Sequence, residues 1–480
     1  MQAQETTRLD RQASGMWPGI AAFLIVGYLS LSRAFAYLGI PWWKIFIGEV
    51  VLAMLFVSGP KLLDGVWYRT LLEFPVLKRL LLLYGLFLGY GIVQIGHGIL
   101  AGNPPLVALR DLTFNYYPIY FSLGLTAGLM RPDLLPRLLR GFAWFNGIYG
   151  VLYLFVLNRI DWFVPGVSDE ITPVPIFGQP IYSFVALLGL IAYEKDLWRS
   201  WHLLSLNAFV MLGMQIRTEW FAFAVGIVTW FIVTGQGKRL LQATAILFAL
   251  FCVMYITNFS VPGPEGRGGG DISIRQLTDR AIAPFRADTS DAKAAAGIGA
   301  ESQESTFVWR TVWWLFIWNS VHSSLNTTVW GFGYGYPLGD LAPYLAGEFI
   351  RTPHNEFFYA LGYTGWIGVV LFFLFEWEIL RLLWQVNRRT GEPFGVPFWA
   401  SMMAYGMFFP LGETPYGAIP FYLILGWLVS PLLSERYSVA SADSNDKRTW
   451  YFTIDAAGIR LLRGAWTLRS TNRSEMPTGN

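Results

Sequence analysis

The sequence predicts an all-α polytopic membrane protein, with about twelve transmembrane helices and a large outer loop between the ninth and the tenth. Three observations predict it. Hydrophobic residues make up 54% of the chain and charged residues only 14%, where soluble domains carry roughly 25% charged. The apolar residues fall in runs long enough to cross a bilayer. The 22 Trp and 23 Tyr suit anchoring at membrane interfaces.

The chain opens on a polar stretch, and the long apolar run after it reads as a retained span, not a cleaved signal peptide. The first two spans are expected at Trp17–Leu38 and Trp42–Val57. The third and fourth follow at Leu80–Leu100 and Leu112–Leu129, the fifth and sixth at Leu138–Leu157 and Ile176–Tyr193. The seventh, Trp201–Gln215, and the eighth, Thr218–Val233, are separated only by Arg217 and its neighbours. The ninth is expected at Leu240–Asn258. After a long non-apolar segment come Phe357–Phe375, Phe398–Leu411 and Tyr416–Leu433.

Four parts result: membrane helices over 1–258, an outer loop over 259–353, membrane helices over 354–433 and a polar tail over 434–480. Within the loop, Pro262–Ser305 is rich in Gly, Ala and Asp and reads as a mobile connection. Thr306–Trp330 carries Trp309, Trp313, Trp314, Ile317, Trp318 and Val321 at helical spacing, which suits a helix lying in the outer interface. It ends at Gly331-Phe-Gly-Tyr-Gly335, a backbone able to turn sharply.

Orientation follows from Lys and Arg in the short loops. With the N-terminus inside, Lys61, Arg69, Lys78 and Arg79 fall on the inner side. So do Arg131, Arg137, Arg140, Lys195, Arg199, Lys238, Arg239, Arg381, Arg388, Arg389 and the basic tail. The opposite loops are poor in basic residues and carry Asp161, Asp169, Glu170 and Glu413. The formal net charge of +3 adds little to this, because position matters more than the sum. The single cysteine, Cys252, leaves no intramolecular disulfide and no cysteine metal site.

Against this charge rule, several basic residues cluster on the outer side at or near span ends, among them Arg33, Arg110, Arg217, Arg310 and Arg351. An arginine at a membrane boundary is a functional candidate by default. Arg217 is the sharpest, since it interrupts the shortest outer connection; the plainer roles are snorkelling to lipid phosphate or pairing with Glu219. Arg310 lies on the interface helix. For Arg33, Arg110 and Arg351 a structural role is as good an account, and Asp111 stands ready to pair Arg110.

Four histidines occur in the chain, and His354 is the one at the boundary between loop and tenth span. Pro353 disfavours helix for Thr352, and Asn355 before an apolar run reads as a helix start. His354 is therefore expected at the mouth of a membrane helix, where an imidazole exchanges protons near neutral pH. The alternative is a histidine that only caps or orders the loop. His97, between Gly96 and Gly98, reads as a packing or hydrogen-bonding residue, His202 as an inner residue and His322 as a face residue of the interface helix. Glu49 stands out within the second span, with Lys44 on the same helix side as a candidate partner. Glu376 and Glu378 read as inner interface charge. There is no phosphate-binding glycine loop, no His-x-x-x-His pair and no outer Asp-Asp or Glu-x-Asp pair to suggest a metal-assisted transferase.

The order of spans, the late outer loop and the His-Asn pair at its end resemble the O-antigen ligase and O-antigen polymerase superfamily. His354-Asn355, followed by Phe358, Gly365 and Gly368, is similar to that family's His-Asn-x-x-Leu…Gly-x-x-Gly signature. Trp330–Gly335 resembles the glycine-rich turn before it. Arg217 falls where the family has a Ser-Arg-Gly motif, and Arg310 where it has an arginine at the head of the loop helix. The likeness covers roughly residues 205–380. It departs at Ile216 and Thr218, which replace the Ser and Gly, and at Tyr363, where an acidic residue is common.

The resemblance implies transfer of a glycan from undecaprenyl diphosphate to an acceptor on the periplasmic face of a bacterial inner membrane, with both termini cytoplasmic. The acceptor would be a growing glycan, a lipid A-core or another molecule; surface-polysaccharide ligation and polymerisation share these motifs. Arginine forks match phosphate oxygens, so Arg217 and Arg310 would hold the diphosphate. Asn355, Arg33, Arg110 and Arg351 are the further substrate-binding candidates, and His354 is the candidate base. No metal, cofactor or nucleic acid is expected; the bilayer is. The rival class is a multi-pass transporter or flippase of a polysaccharide precursor, which should place its polar groups near the midplane at broken helices.

Overall fold

The computed structural model describes residues 2–40, 45–62, 75–164, 174–261, 272–273, 277, 303–343, 345, 352–433, 450–455 and 458–463. They form a helical bundle. In chain order the helices are α1 (Gln2–Ala36), α2 (Ile47–Leu62), α3 (Pro75–Leu100), α4 (Pro105–Asp111), α5 (Thr113–Tyr116), α6 (Tyr120–Met130), α7 (Leu134–Phe155) and α8 (Ser183–Tyr193). Then come α9 (Trp201–Gly213), α10 (Arg217–Thr234), α11 (Gly237–Ile256), α12 (Gln303–Val321), α13 (Leu325–Trp330), α14 (Glu356–Thr390), α15 (Gly395–Gly406) and α16 (Pro415–Val429). Among the described residues, strands are confined to short two-stranded ribbons, including Trp450–Asp455 with Gly458–Arg463 in the tail.

Among the described residues, five helices are long and apolar enough to cross a membrane: Met16–Ala36, Leu77–Leu100, Gly237–Ile256, Glu356–Thr390 and Pro415–Leu433. The others that match expected spans are shorter or broken, so a count of twelve does not follow from helix length. The region of the fourth expected span is a chain of pieces: α4 ahead of it, then, within Leu112–Leu129, α5, a 3-10 turn at Tyr117–Ile119, and α6. Pro105 starts the first piece, and Pro118 falls inside the turn. A proline lacks the N–H that a continuous helix needs. The sixth is helical only over α8, its first part running as irregular chain from Val174 to Tyr182. The tenth is longer than expected, because α14 continues to Thr390 and stops where Gly391 takes up a left-handed conformation, φ 70°.

The bundle is organised around α16. Every residue from Gly417 to Val429 is buried, and a helix apolar all round belongs in the centre of a bundle. Its closest neighbour is α6. A Cβ at Gly124 would run into the Leu423 carbonyl, and one at Gly426 into the Phe121 carbonyl. Small residues let the two backbones approach this closely. By contrast α3 and α11 stay largely uncovered, as lipid-facing helices do.

One end of the bundle gathers basic residues from four separate connections. Arg140 pairs with Glu194 at 3.1 Å. Arg239 donates to the carbonyls of Ile191 and Ala192. Arg79 and Arg381 both pair with Glu378, at 3.3 and 2.7 Å. These are residues that the loop pattern assigns to a single side. Glu376 and Glu378 are not surface charge, however: they are 1% and 0% exposed. The Glu376 carboxylate accepts from Trp399 Nε1 at 2.7 Å and from the Tyr422 hydroxyl at 2.8 Å, which joins α14 to α15 and α16.

The glycine-rich turn after α13 is a buried junction. Gly331, Gly333 and Gly335 all have positive φ. Phe332 and Gly333 donate their N–H groups to the carbonyls of Gly362 and Tyr363 on α14, and Tyr334 donates to the Gln94 carbonyl on α3. Gly335 N–H donates to Asp111 Oδ2 at 2.8 Å, so Asp111 serves the turn. A Cβ on Gly333 would lie 2.7 Å from Gly98 Cα, and its φ of 76° costs an L-residue about 1–2 kcal/mol by itself. Gly333→Ala is therefore expected to lower the amount of folded protein in the membrane sharply. A normal level and melting temperature would contradict this close contact.

Candidate functional site

At the opposite end of the bundle, the connection between α15 and α16 is where elements from distant parts of the chain meet. Asn355 caps α14 as its sequence suggests: its Oδ1 accepts from Phe358 N–H at 3.1 Å. Its Nδ2 donates to the Met407 carbonyl at 2.9 Å. Arg310, on α12, donates from Nη1 to the next carbonyl, Phe408, at 3.3 Å. The Phe408 ring lies 5.8 Å from Phe221, one turn into the helix that Arg217 begins, and 6.0 Å from Trp314. Residues from α10, α12 and α14 thus converge on two successive residues of this turn.

His354 stands directly before Asn355 with φ 51°, a conformation uncommon outside glycine. Such strain costs of order 1–3 kcal/mol and persists only where the surroundings enforce it. They do so on both sides. Trp314 Nε1 donates to the Pro353 carbonyl at 2.8 Å, and Asn355 is held by its two bonds. The Trp314 ring also stacks on Phe358, centroids 5.5 Å apart. His354 is partly exposed, on a backbone fixed from both sides.

Glu413 belongs to the same turn. Burial pushes its carboxyl well above the usual range, and the nearby carboxylates of Glu356 and Asp111 push it further. The Thr352 hydroxyl and the Arg110 guanidinium act in the other direction. The Thr113 hydroxyl donates to the Glu413 carbonyl at 3.3 Å. Arg110 is accordingly placed beside the turn through Glu413. Arg33 closes α1 just after Ser32, whose φ of 50° breaks the helix. Its guanidinium lies over Tyr37 at 5.8 Å and within electrostatic reach of Tyr416, at the start of α16.

Arg217 opens α10 after a left-handed Gln215, φ 56°. Glu219 is fully buried and accepts from Ser183 N–H, at the start of α8, at 3.1 Å. Asn146 continues this buried polar line, donating to Ser183 Oγ and Asn207 Oδ1. Arg351 lies outside the described residues, as do the glycine-rich part of the loop and Lys44. Two of the remaining histidines sit as structural residues. His97 bonds Gln94 on its own helix at 3.2 Å, and His322 joins the Trp318 carbonyl to Trp366 Nε1.

The sequence reading did not pick out the 407–414 turn, Glu356 or the role of Glu413. No spacing rule flags them, because a short connection between two apolar runs acquires meaning only when distant helices reach it. The one available signal was an acidic residue, Glu413, between two spans on the side where the outer arginines gather.

Fold and site together define a helical membrane protein with a histidine, an asparagine and several arginines drawn to one end of its bundle. Residues 202–373 match the family model described as O-antigen ligase. The likeness to the O-antigen ligase and polymerase superfamily is thereby shown over the stretch from α9 into α14, which contains Arg217, Arg310 and His354. The match supports glycan transfer of that general type. Comparison with curated proteins gives no match.

Proposed function

We propose that the protein transfers a glycan from undecaprenyl diphosphate to an acceptor hydroxyl at the periplasmic face of the inner membrane, without a metal. The observation that carries the reading is the convergence of Arg310 and Asn355 on the carbonyls of Phe408 and Met407, with His354 strained and fixed beside them. The acceptor oxygen attacks the anomeric carbon. The bond from that carbon to the diphosphate oxygen breaks, and its electrons leave with the diphosphate. The acceptor's proton passes to His354. Arg217 and Arg310 offset the charge growing on the leaving group, the work that a divalent cation does in other transferases. Arg33 and Arg110 border the same turn through Tyr416 and Glu413, and with Asn355 and Arg351 complete the substrate-binding set.

A carrier remains the second reading because of the buried line Asn146–Ser183–Glu219 where irregular chain leads into α8. Polar groups at a broken helix suit transport. Detergent-solubilised protein has no compartments to transport between. Glycosylated acceptor formed there from a lipid-linked glycan supports the transferase; no product under any donor and acceptor pairing supports the carrier.

The sidedness has its own test, motivated by the loop charges. A cysteine at Gly269 should react with an impermeant reagent in cells whose outer membrane is permeabilised, and one at Thr390 should not. Labelling at Thr390 alone would reverse the assigned side.

A further inference from the structure

Glu356 immediately follows the His354–Asn355 pair and is 6% exposed. Its Oε1 accepts from Gly412 N–H at 2.7 Å. Asn355, one residue earlier, donates to the Met407 carbonyl at 2.9 Å. Two consecutive residues of the histidine segment therefore clamp the 407–412 turn at both ends. Between the clamps lies the Phe408 carbonyl, which accepts from Arg310. A turn held at only one end can shift, and its carbonyls shift with it. Misplacement by about 1 Å of groups remote from the reacting atoms can cost about 10²-fold in rate.

We propose that Glu356 is a positioning residue, which fixes the 407–412 turn and through it the placement of Arg310 relative to His354. The inference rests on the roles given above to those two residues. Its chemistry is that of an acceptor. Oε1 makes the bond to Gly412, while Oε2 has no hydrogen-bond partner among the described residues. The gap between Glu356 and Gly412 is narrow, for a Cβ added at Gly412 would meet Oε2 at 2.8 Å. An amide oxygen can replace Oε1 as acceptor, whereas a methyl group cannot.

The test compares Glu356→Gln and Glu356→Ala in the transfer reaction, with protein level and lipid-linked donor binding measured on the same preparations. Glu356→Ala is expected to lose about 10²-fold in turnover, with little change in KM for the donor. Glu356→Gln should recover most of that loss and keep the wild-type pH profile. Near-wild-type turnover by Glu356→Ala overturns the proposal. So does a Glu356→Gln variant as poor as Glu356→Ala at normal donor binding, since charge and not the hydrogen bond would then matter. If Glu356→Ala fails to accumulate, Glu356→Asp poses the same question: its carboxylate is one methylene short of Gly412, and undiminished turnover would again overturn the proposal. A wild-type protein that transfers nothing defeats the functional reading itself. A wild-type protein that transfers while these variants do so equally well defeats only this inference.

Discussion

Replacing His354 with alanine is expected to slow transfer by roughly 10²–10⁴-fold, the usual cost of losing a general base. Binding of the lipid-linked donor should survive. The expectation follows from a partly exposed histidine on a backbone of φ 51°, pinned through Pro353 and Asn355. His354→Gln is the sharper variant. Glutamine can hydrogen-bond but cannot take a proton, so it should be nearly as poor as alanine. The limb of the rate profile that titrates near neutrality should vanish in both. If His354 only ordered the loop or donated to the diphosphate, Gln would rescue much of the rate and leave the profile unchanged. That result would remove the base assignment. Because collapse of the turn could imitate loss of the base, donor binding must be measured on the same preparations.

The second large effect is expected at Arg217. Arg217→Lys keeps the charge but loses the planar fork that meets two phosphate oxygens at once. Transfer should fall strongly at a normal protein level, since α10 begins with the same charge and Glu219 keeps its bond to Ser183 N–H. Full activity in Arg217→Lys would eliminate recognition of the diphosphate by that fork. Arg33→Ala should cost less. Arg33 sits over Tyr37, beyond a helix break, and a structural role accounts for it equally well.

Much of this arrangement was legible from residue order alone. Hydrophobic runs give helices wherever a bilayer must be crossed, and Asn355 before an apolar run gave the cap seen on α14. The glycines at 331, 333 and 335 announced a sharp turn; which backbones press on it depended on Gly98 and Gly365, far away in sequence. Helix lengths were less legible. Burial inside the bundle tolerates short pieces such as α8, whose apolar flank reads as span while its backbone is irregular. Glu376 shows the same limit: it looks like surface charge in sequence, and only Trp399 and Tyr422 from other helices make its burial possible. At the site, residue types pointed to His354, Asn355 and the arginines. What could not be read was their common support. The carbonyls of Met407 and Phe408 are backbone groups, and no side-chain pattern marks which carbonyl a distant arginine will reach.

Metal-free displacement at this end of the bundle is open to one decisive measurement. It is tested most directly by the rate at which purified protein forms glycosylated acceptor and releases undecaprenyl diphosphate in excess EDTA, with the anomeric configuration of the product determined. An undiminished rate and inversion at the anomeric carbon are expected. A rate abolished by EDTA and restored by a divalent cation, or a product with retained configuration, would contradict it.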